Sequence, residues 1–170
     1  MSFHLIDNAP KGYSSLFKRS STRISYEDTI TALSEREKFA PLMVMPFLSG
    51  DEISVDCLRT PSGLIAIPRR KNYSRIEKVV YDERVLSVCR QLLEVFHMEM
   101  PCNIQFKLLD EVPYLLEVNT RMSGGVQMSC AASGINIPYI AVNKLLGKDI
   151  PWQGNGEEKS VTYIEKPLVL

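Results

Sequence analysis

The 170-residue sequence lacks several features that would place it in a special class of protein. It has no excess of one charge, because 20 lysines and arginines balance 20 acidic residues. We therefore expect neither a nucleic-acid partner nor an anionic membrane partner. Its longest apolar run, residues 41–48, is much shorter than the roughly 20 residues of a membrane span. Residues 1–4 lead into a mixed segment without the apolar core of a signal peptide, so we expect a cytoplasmic location.

Cysteine is scarce and shows no metal-binding or redox spacing. The four cysteines are widely separated, none in a C-x-x-C pair, and each lies on a predicted apolar face. We expect reduced thiols that pack in a core, rather than disulfides or metal ligands. With 45% hydrophobic and 24% charged residues, the composition is that of an ordinary globular domain.

Hydrophobic periodicity predicts an α+β order of elements. A helix over residues 25–39 would begin at Ser25 and bury Ile30 and Leu33, and residues 42–48 would form a buried strand. A helix over 82–98 would place Phe96 among its apolar positions. The remaining predictions are strands over 52–58, 64–68, 102–108, 114–119 and 161–164, helices over 125–133 and 138–146, and irregular segments over 1–23 and 152–156.

The most specific pattern lies in residues 103–122, which read as two alternating strands joined by a short polar turn. If the hairpin turns at Glu111, Gln105 lies opposite Glu117 and Asn103 opposite Asn119. Such cross-strand neighbours lie about 4.5–5.5 Å apart at Cβ. One face would then carry amide and carboxylate oxygens, which are the ligands that Mg²⁺ takes. The alternative is an ordinary hairpin with a polar outer face.

The sequence Q…EVNTR, followed by SGG and a predicted helix, resembles the C-terminal lobe of the ATP-grasp superfamily, in its carbamoyl-phosphate synthase-like branch. The resemblance implies that Gln105, Glu117 and Asn119 bind the Mg²⁺ of ATP, or Mn²⁺ in its place, and that Asn119 also contacts the nucleotide. It implies that Arg121 is the catalytic cation facing the transferred phosphoryl group. Thr120 stands where the family usually has proline.

The apolar run and the strand after it also resemble the hinge of this superfamily. The resemblance implies that Met45, Phe47 and Leu48 flank the adenine and that Glu52 binds the ribose. Pro46 stands where the family often has an acid, and it lacks an N–H. Plain core packing is an equal alternative for Met45 and Phe47.

Two further segments carry weaker signals. Arg69, Arg70 and Lys71 are three successive cations that form either a solvated rim or, with Arg70 preferred, a contact to phosphate or to an acidic substrate. Gly124 and Gly125 precede a predicted helix, where a glycine turn presents N–H groups to anions.

The largest departure from the family lies near the N-terminus. The family places a lysine and a glycine-rich phosphate loop ahead of this region, whereas no G-x-G-S-x-G is found here. Residues 8–15 resemble the end of that loop. We therefore expect an α+β ATP-grasp C-terminal lobe over 25–150, mainly antiparallel sheet with flanking helices. Residues 1–24 would be an irregular remnant of the absent or truncated N-terminal lobe, and 151–170 a tail.

The resemblance implies part of a ligase that activates a carboxylate as an acyl phosphate for attack by an amine or similar nucleophile. A longer chain, a partner chain or a second copy would complete the cleft. On its own the chain would then bind ATP weakly and turn over negligibly. The alternative is a non-catalytic nucleotide-binding or assembly module derived from such an enzyme.

Overall fold

The structure is a computed structural model that describes residues 4–7, 23–72, 74–154 and 156–164. The chain divides into two compact units, Met1–Phe47 and Leu48–Leu170. The predicted remnant of the phosphate loop, residues 8–15, lies outside the described residues. The domain boundaries expected after residues 24 and 150 remain a prediction.

In the residues that the structure describes, the first unit contains little regular structure. Strands β1 (Leu5–Ile6) and β2 (Arg23–Ile24) pair in parallel, and helix α1 spans Tyr26–Ser34. Ser25 begins α1 as predicted, since its Oγ accepts a hydrogen bond from the backbone N–H of Asp28 at 3.0 Å. The predicted burial is wrong for Ile30, which is exposed, and Leu33 is only half-buried. The apolar side of a helix becomes buried only when a second apolar layer covers it. Two strands of two residues each are too small to form such a layer.

The predicted buried strand over residues 42–48 is wrong. These residues have no regular secondary structure, and the side chains of Met43 and Val44 are 89% and 82% exposed. A strand needs a neighbour for its backbone hydrogen bonds, and this run pairs with no strand in the described part of the chain. Pro46 also removes one of its N–H donors.

Within its described residues, the second unit contains a six-stranded antiparallel sheet and three helices. In chain order its elements are β3 (Glu52–Thr60), β4 (Gly63–Lys71), β5 (Glu77–Val79), α2 (Glu83–Val95), β6 (Cys102–Leu109), β7 (Val112–Asn119), α3 (Val126–Ser133), α4 (Ile137–Leu145) and β8 (Ser160–Val161). The strands lie in the order β7-β6-β3-β4-β5-β8, and each neighbouring pair is antiparallel. This confirms the predicted α+β class.

Several element ends differ from the prediction. The β3–β4 hairpin closes at Gly63, whose φ of +134° favours glycine, and β4 continues beyond Pro68 to Lys71. Strand β5 has no counterpart in the prediction, and β8 is shorter than predicted. Helix α2 ends at Val95, so Phe96 is not among its apolar positions. Phe96 is 67% exposed because it lies past the last helical turn that contacts the sheet.

Both faces of the sheet are covered, but to different extents. Helix α2 packs on one face, in a core of ten buried residues: Ile53, Val55, Cys57, Val85, Cys89, Leu93, Cys102, Ile104, Phe106 and Leu108. Helices α3 and α4 cover only part of the other face, over Leu58, Ile65, Ile67 and Val79. The uncovered remainder of that second face is polar; we call it the polar face.

The cysteines are free thiols, and hydrogen bonding with Cys102 and burial raise the pKa of Cys57.

In the described residues, no helix is both long and apolar enough to cross a membrane. The longest, α2, is amphipathic: one side packs on the sheet and the other carries charged residues. This sidedness is typical of a helix that covers a sheet.

Candidate functional site

A cavity of about 510 Å³ opens on the polar face. Its walls are formed by β4, β5 and β6, by the loop that joins β7 to α3 and by the first turn of α3, and they include Lys71, Gln105, Arg121, Gly124 and Gly125. Alternation along the strands explains the polar lining, since every second residue of each strand points to this side.

The structure brings the three predicted metal ligands to the polar face. Gln105 pairs with Glu117 and Asn103 with Asn119, which confirms the predicted register. Glu117 is exposed, and its Oε1 accepts a hydrogen bond from Nδ2 of Asn119 at 2.7 Å. Gln105 is half-buried, and its Nε2 donates to Oδ1 of Asn103 at 3.1 Å.

The register depends on a bulge in β7. The turn itself holds only Asp110 and Glu111, both with positive φ (50° and 59°), so Val112 belongs to the strand. Near the turn Phe106 pairs with Leu115, whereas the next residue along β6, Gln105, pairs with Glu117. One extra residue in β7 therefore shifts the register and turns Glu117 towards the side of Gln105.

Arg121 lies just beyond β7, at the cavity. Its side chain is exposed, and Nη1 donates to the carbonyl oxygen of Met122 at 3.0 Å. The predicted catalytic cation is therefore on the same side as Gln105 and Glu117, with its guanidinium accessible to an anion.

A buried arginine beneath the cavity was not expected from the sequence. Arg69 is fully buried rather than part of a solvated rim. It donates to Asp56 Oδ2 at 3.1 Å, to Ser129 Oγ at 2.7 Å and to Ser123 Oγ at 2.9 Å, and it pairs with Glu77. Period-two alternation could have found it, because Arg69 is in phase with the apolar positions of β4 that face α3 and α4.

Arg69 and Asp56 hold the loop that leads into α3. The backbone N–H of Ser123 donates to Asp56 Oδ1 at 3.3 Å, and Ser129 Oγ donates to Asp56 Oδ2 at 2.6 Å. A Cβ added to Gly125 would lie 2.4 Å from Nη1 of Arg69. Glycine is therefore required here for close approach to a guanidinium that is itself fixed.

The structure does not bring Arg70 to this site. Neighbouring residues of a strand point to opposite faces, so Arg70 lies on the side of the sheet away from Gln105. Its Nε donates to Asp51 at 2.7 Å and its Nη atoms to Glu111 at 3.1 and 3.2 Å. Hydrogen bonds to Asp51 and Glu111 raise the pKa of Arg70. Lys71 lines the cavity, although the sequence favoured Arg70 over it.

The residues predicted to contact the adenine and the ribose are divided between the two units. Glu52 lies on the polar face at the start of β3, where Lys71 Nζ donates to its Oε1 at 3.0 Å. Leu48 is half-buried in the same unit. Met45 and Phe47 belong to the first unit, and their side chains are 49% and 58% exposed.

The donor chemistry distinguishes two kinds of metal site. In the described part of the chain, no group of three or more histidine, cysteine or acidic side chains could hold a metal ion. The polar face instead offers the carboxylate of Glu117 with the amide groups of Gln105 and Asn119, whereas the carboxylates of Glu52 and Glu77 pair with Lys71 and Arg69. Mg²⁺ at nucleotide sites commonly takes one or two carboxylates and completes its shell with phosphate oxygens and water. The residues present therefore fit a metal that arrives with a phosphate ligand.

Comparison with known proteins identifies the family. Residues 38–167 match the family model described as "ATP-grasp in the biosynthetic pathway with Ter operon". The chain belongs to this ATP-grasp family. Over 104 residues, 61% of the chain, it is 32% identical to the carbamoyl phosphate synthase large chain of Saccharolobus islandicus (strain L.S.2.15 / Lassen #1). Over 138 residues it is 25% identical to the corresponding protein of Thermoanaerobacter sp. (strain X514). The match spans 9% and 13% of these two relatives.

Solved structures share the fold at low sequence identity. The biotin carboxylase–beta-gamma-ATP complex of Campylobacter jejuni matches 63% of the chain with a TM-score of 0.54 and 18% identity. The biotin carboxylase domain dimer of Hydrogenobacter thermophilus 2-oxoglutarate carboxylase, with MgADP, ADP and bicarbonate, matches 60% with a TM-score of 0.52 and 14% identity. The match covers 28% and 26% of those chains. The sheet and its helices thus form the part of an ATP-grasp fold predicted from the sequence.

Proposed function

We propose that the polar face binds the phosphates of ATP together with Mg²⁺, and that this lobe serves an ATP-grasp ligase. Such a ligase transfers the γ-phosphoryl group of ATP to a carboxylate oxygen and releases ADP. An amine or similar nucleophile then attacks the acyl phosphate and displaces phosphate. The observation that carries the proposal is the pairing of Gln105 with Glu117 beside Arg121, on the open face of the sheet.

Each side chain has a separate part in this proposal. Glu117 supplies one negative charge to the cation, and Gln105 and Asn119 supply amide oxygens. Arg121 compensates the charge of the transferred phosphoryl group, and Lys71 adds a second cation at the cavity wall. When bound, Mg²⁺ would polarise the phosphate oxygens as a Lewis acid. Most of the protein's contribution to phosphoryl transfer is positioning and charge compensation of this kind.

Two comparisons support the ligand class. The family model names ATP-grasp, and the solved neighbours include complexes with beta-gamma-ATP and with MgADP. The carboxylate, the nucleophile and a partner or second copy that completes the cleft are proposed on the family alone.

The test compares two charge-neutral variants of the same hairpin. Glu117→Gln keeps the shape and an oxygen donor but removes the charge from the proposed ligand set. Glu111→Gln makes the same change in the turn, where the carboxylate pairs with Arg70 on the other side of the sheet. ATP binding to the full chain is measured by calorimetry with and without Mg²⁺, beside thermal unfolding.

We expect the parent and Glu111→Gln to bind ATP more tightly with Mg²⁺ than without it. Glu117→Gln should lose most of this gain while its free energy of unfolding changes by less than about 0.5 kcal/mol. Unchanged Mg²⁺ dependence in Glu117→Gln would show that Glu117 is not a ligand. Unfolding of this variant would show that Glu117 has a structural role instead.

A further inference from the structure

Asn103 is fully buried in β6, two residues from Gln105, and its amide orientation is determined by its neighbours. Its Nδ2 lies 2.9 Å from Ser54 Oγ, 3.2 Å from the carbonyl oxygen of Val55 and 3.3 Å from Asp56 Oδ1. A backbone carbonyl accepts hydrogen bonds and never donates them, and the same holds for a carboxylate paired with arginine. The end of the amide that faces Val55 and Asp56 must therefore be the NH₂ group.

The other end of the Asn103 amide is then an oxygen, and this fixes Gln105 in turn. Oδ1 of Asn103 lies 3.1 Å from Nε2 of Gln105. Two amide oxygens facing each other would repel and leave a buried acceptor without a donor, which is unfavourable. Gln105 therefore directs its NH₂ group at Asn103 and presents Oε1 as the remaining end of its amide.

We propose that Asn103 is a positioning residue for the metal–nucleotide site, because it selects the orientation in which Gln105 offers oxygen rather than N–H to a divalent cation. The inference rests on the proposed function. An unconstrained glutamine amide can turn either end to the cavity, and only one end binds a cation. Hydrogen-bonded neighbours of metal ligands commonly have this orienting effect.

The chain of hydrogen bonds has a fixed origin. Asp56 is held by Arg69 and by Ser129, and both contacts are buried. The sequence of contacts therefore runs from Arg69 through Asp56 and Asn103 to Gln105, and each group in it is oriented by the one before.

The first arm of the test needs no variant and no metal. In the full chain, hydrogen exchange of the side-chain amide protons is followed by NMR for Gln105 and for Gln127, an exposed glutamine that lines the same cavity. The inference predicts measurably slower exchange at Gln105 and a proton shifted downfield by its bond to Asn103. Exchange at Gln105 as fast as at Gln127 would overturn the inference.

The second arm measures Mn²⁺ affinity with ATP in a variant cycle. Asn103→Leu removes the amide at similar size, and we expect about 10- to 100-fold weaker Mn²⁺ binding. In the Gln105→Glu background both side-chain ends are oxygen, so the same Asn103→Leu change should cause no loss. An equal loss in both backgrounds would mean that Asn103 acts only on stability and would overturn the inference.

The two arms separate the inference from the proposed function. If the parent binds no Mn²⁺ on the polar face, the proposed function is wrong, and the inference falls with it even where slow exchange is seen. If Mn²⁺ binds and Gln105 exchanges rapidly, only the inference is wrong. If Asn103→Leu does not fold, the exchange arm decides.

Discussion

Gly125 lies so close to Arg69 that a Cβ on Gly125 would be 2.4 Å from Nη1 and 2.8 Å from Cζ of that arginine. The guanidinium cannot easily yield, because Asp56, Ser123 and Ser129 accept its hydrogen bonds. The loop between β7 and α3 thus rests directly on a buried cation. The position of this loop beside the cavity depends on that contact.

The first prediction concerns this contact. Gly125→Ala should lower the free energy of unfolding by about 1–3 kcal/mol, the usual cost of overpacking. Gly124→Ala is the matched control, because a Cβ at Gly124 would meet nothing within 4 Å. Denaturant unfolding of both variants and the parent provides the comparison. Equal stability of the two variants would show that the loop adjusts freely.

The second prediction separates the two neighbouring arginines. Arg69→Met leaves Asp56 buried without its cation and should cost about 3–5 kcal/mol. Arg70→Met removes a cation whose side chain is 33% exposed, and it should cost no more than about 1 kcal/mol. Thermal and denaturant unfolding measure both. A larger loss for Arg70→Met would contradict the assignment of Arg69 as the structural cation.

The third prediction concerns the start of α2 and its pH dependence. Asp82 accepts a hydrogen bond from the backbone N–H of Arg84 at 2.9 Å, and hydrogen bonds from the Arg84 guanidinium lower the pKa of Asp82. The stability that depends on its charge is therefore fully present above the unfolded pKa, about 3.9, and is lost as the pH falls through the lower folded value.

Asp82→Ala should accordingly lower the free energy of unfolding by about 0.5–2 kcal/mol at pH 7. The difference from the parent should stay constant down to about pH 5 and shrink below about pH 4. Denaturant unfolding across this range is the measurement. A difference that grows on acidification would have the wrong sign.

The hairpin that carries the site could be predicted from the sequence, although for a partly mistaken reason. A three-residue turn around Glu111 gives the observed pairing of Gln105 with Glu117. The actual turn has two residues, and the bulge in β7 restores the same register. A period of two is a strong signal where one side of a strand is buried, and it fixes which side chains share a face.

Other parts of the fold depended on tertiary contacts that the sequence does not encode locally. Residues 42–48 are apolar, but an apolar run forms a strand only beside a partner. Arg69 and Arg70 are chemically alike, and only their phase in β4 decides that Arg69 is buried under the loop while Arg70 meets Asp51 and Glu111. A run of three adjacent cations does not by itself distinguish them, and Arg70, which the sequence favours, lies on the face away from the cavity.

The most direct test of the central claim is paramagnetic broadening of the chain's amide resonances by Mn²⁺ with ATP. We predict that signals of Gln105, Glu117 and Asn119 broaden first, while those of α2, packed on the opposite side of the sheet, broaden last. Glu117→Gln should need more Mn²⁺ for the same broadening. Broadening centred on Asp51 and Glu111, or none at the polar face, would contradict the account.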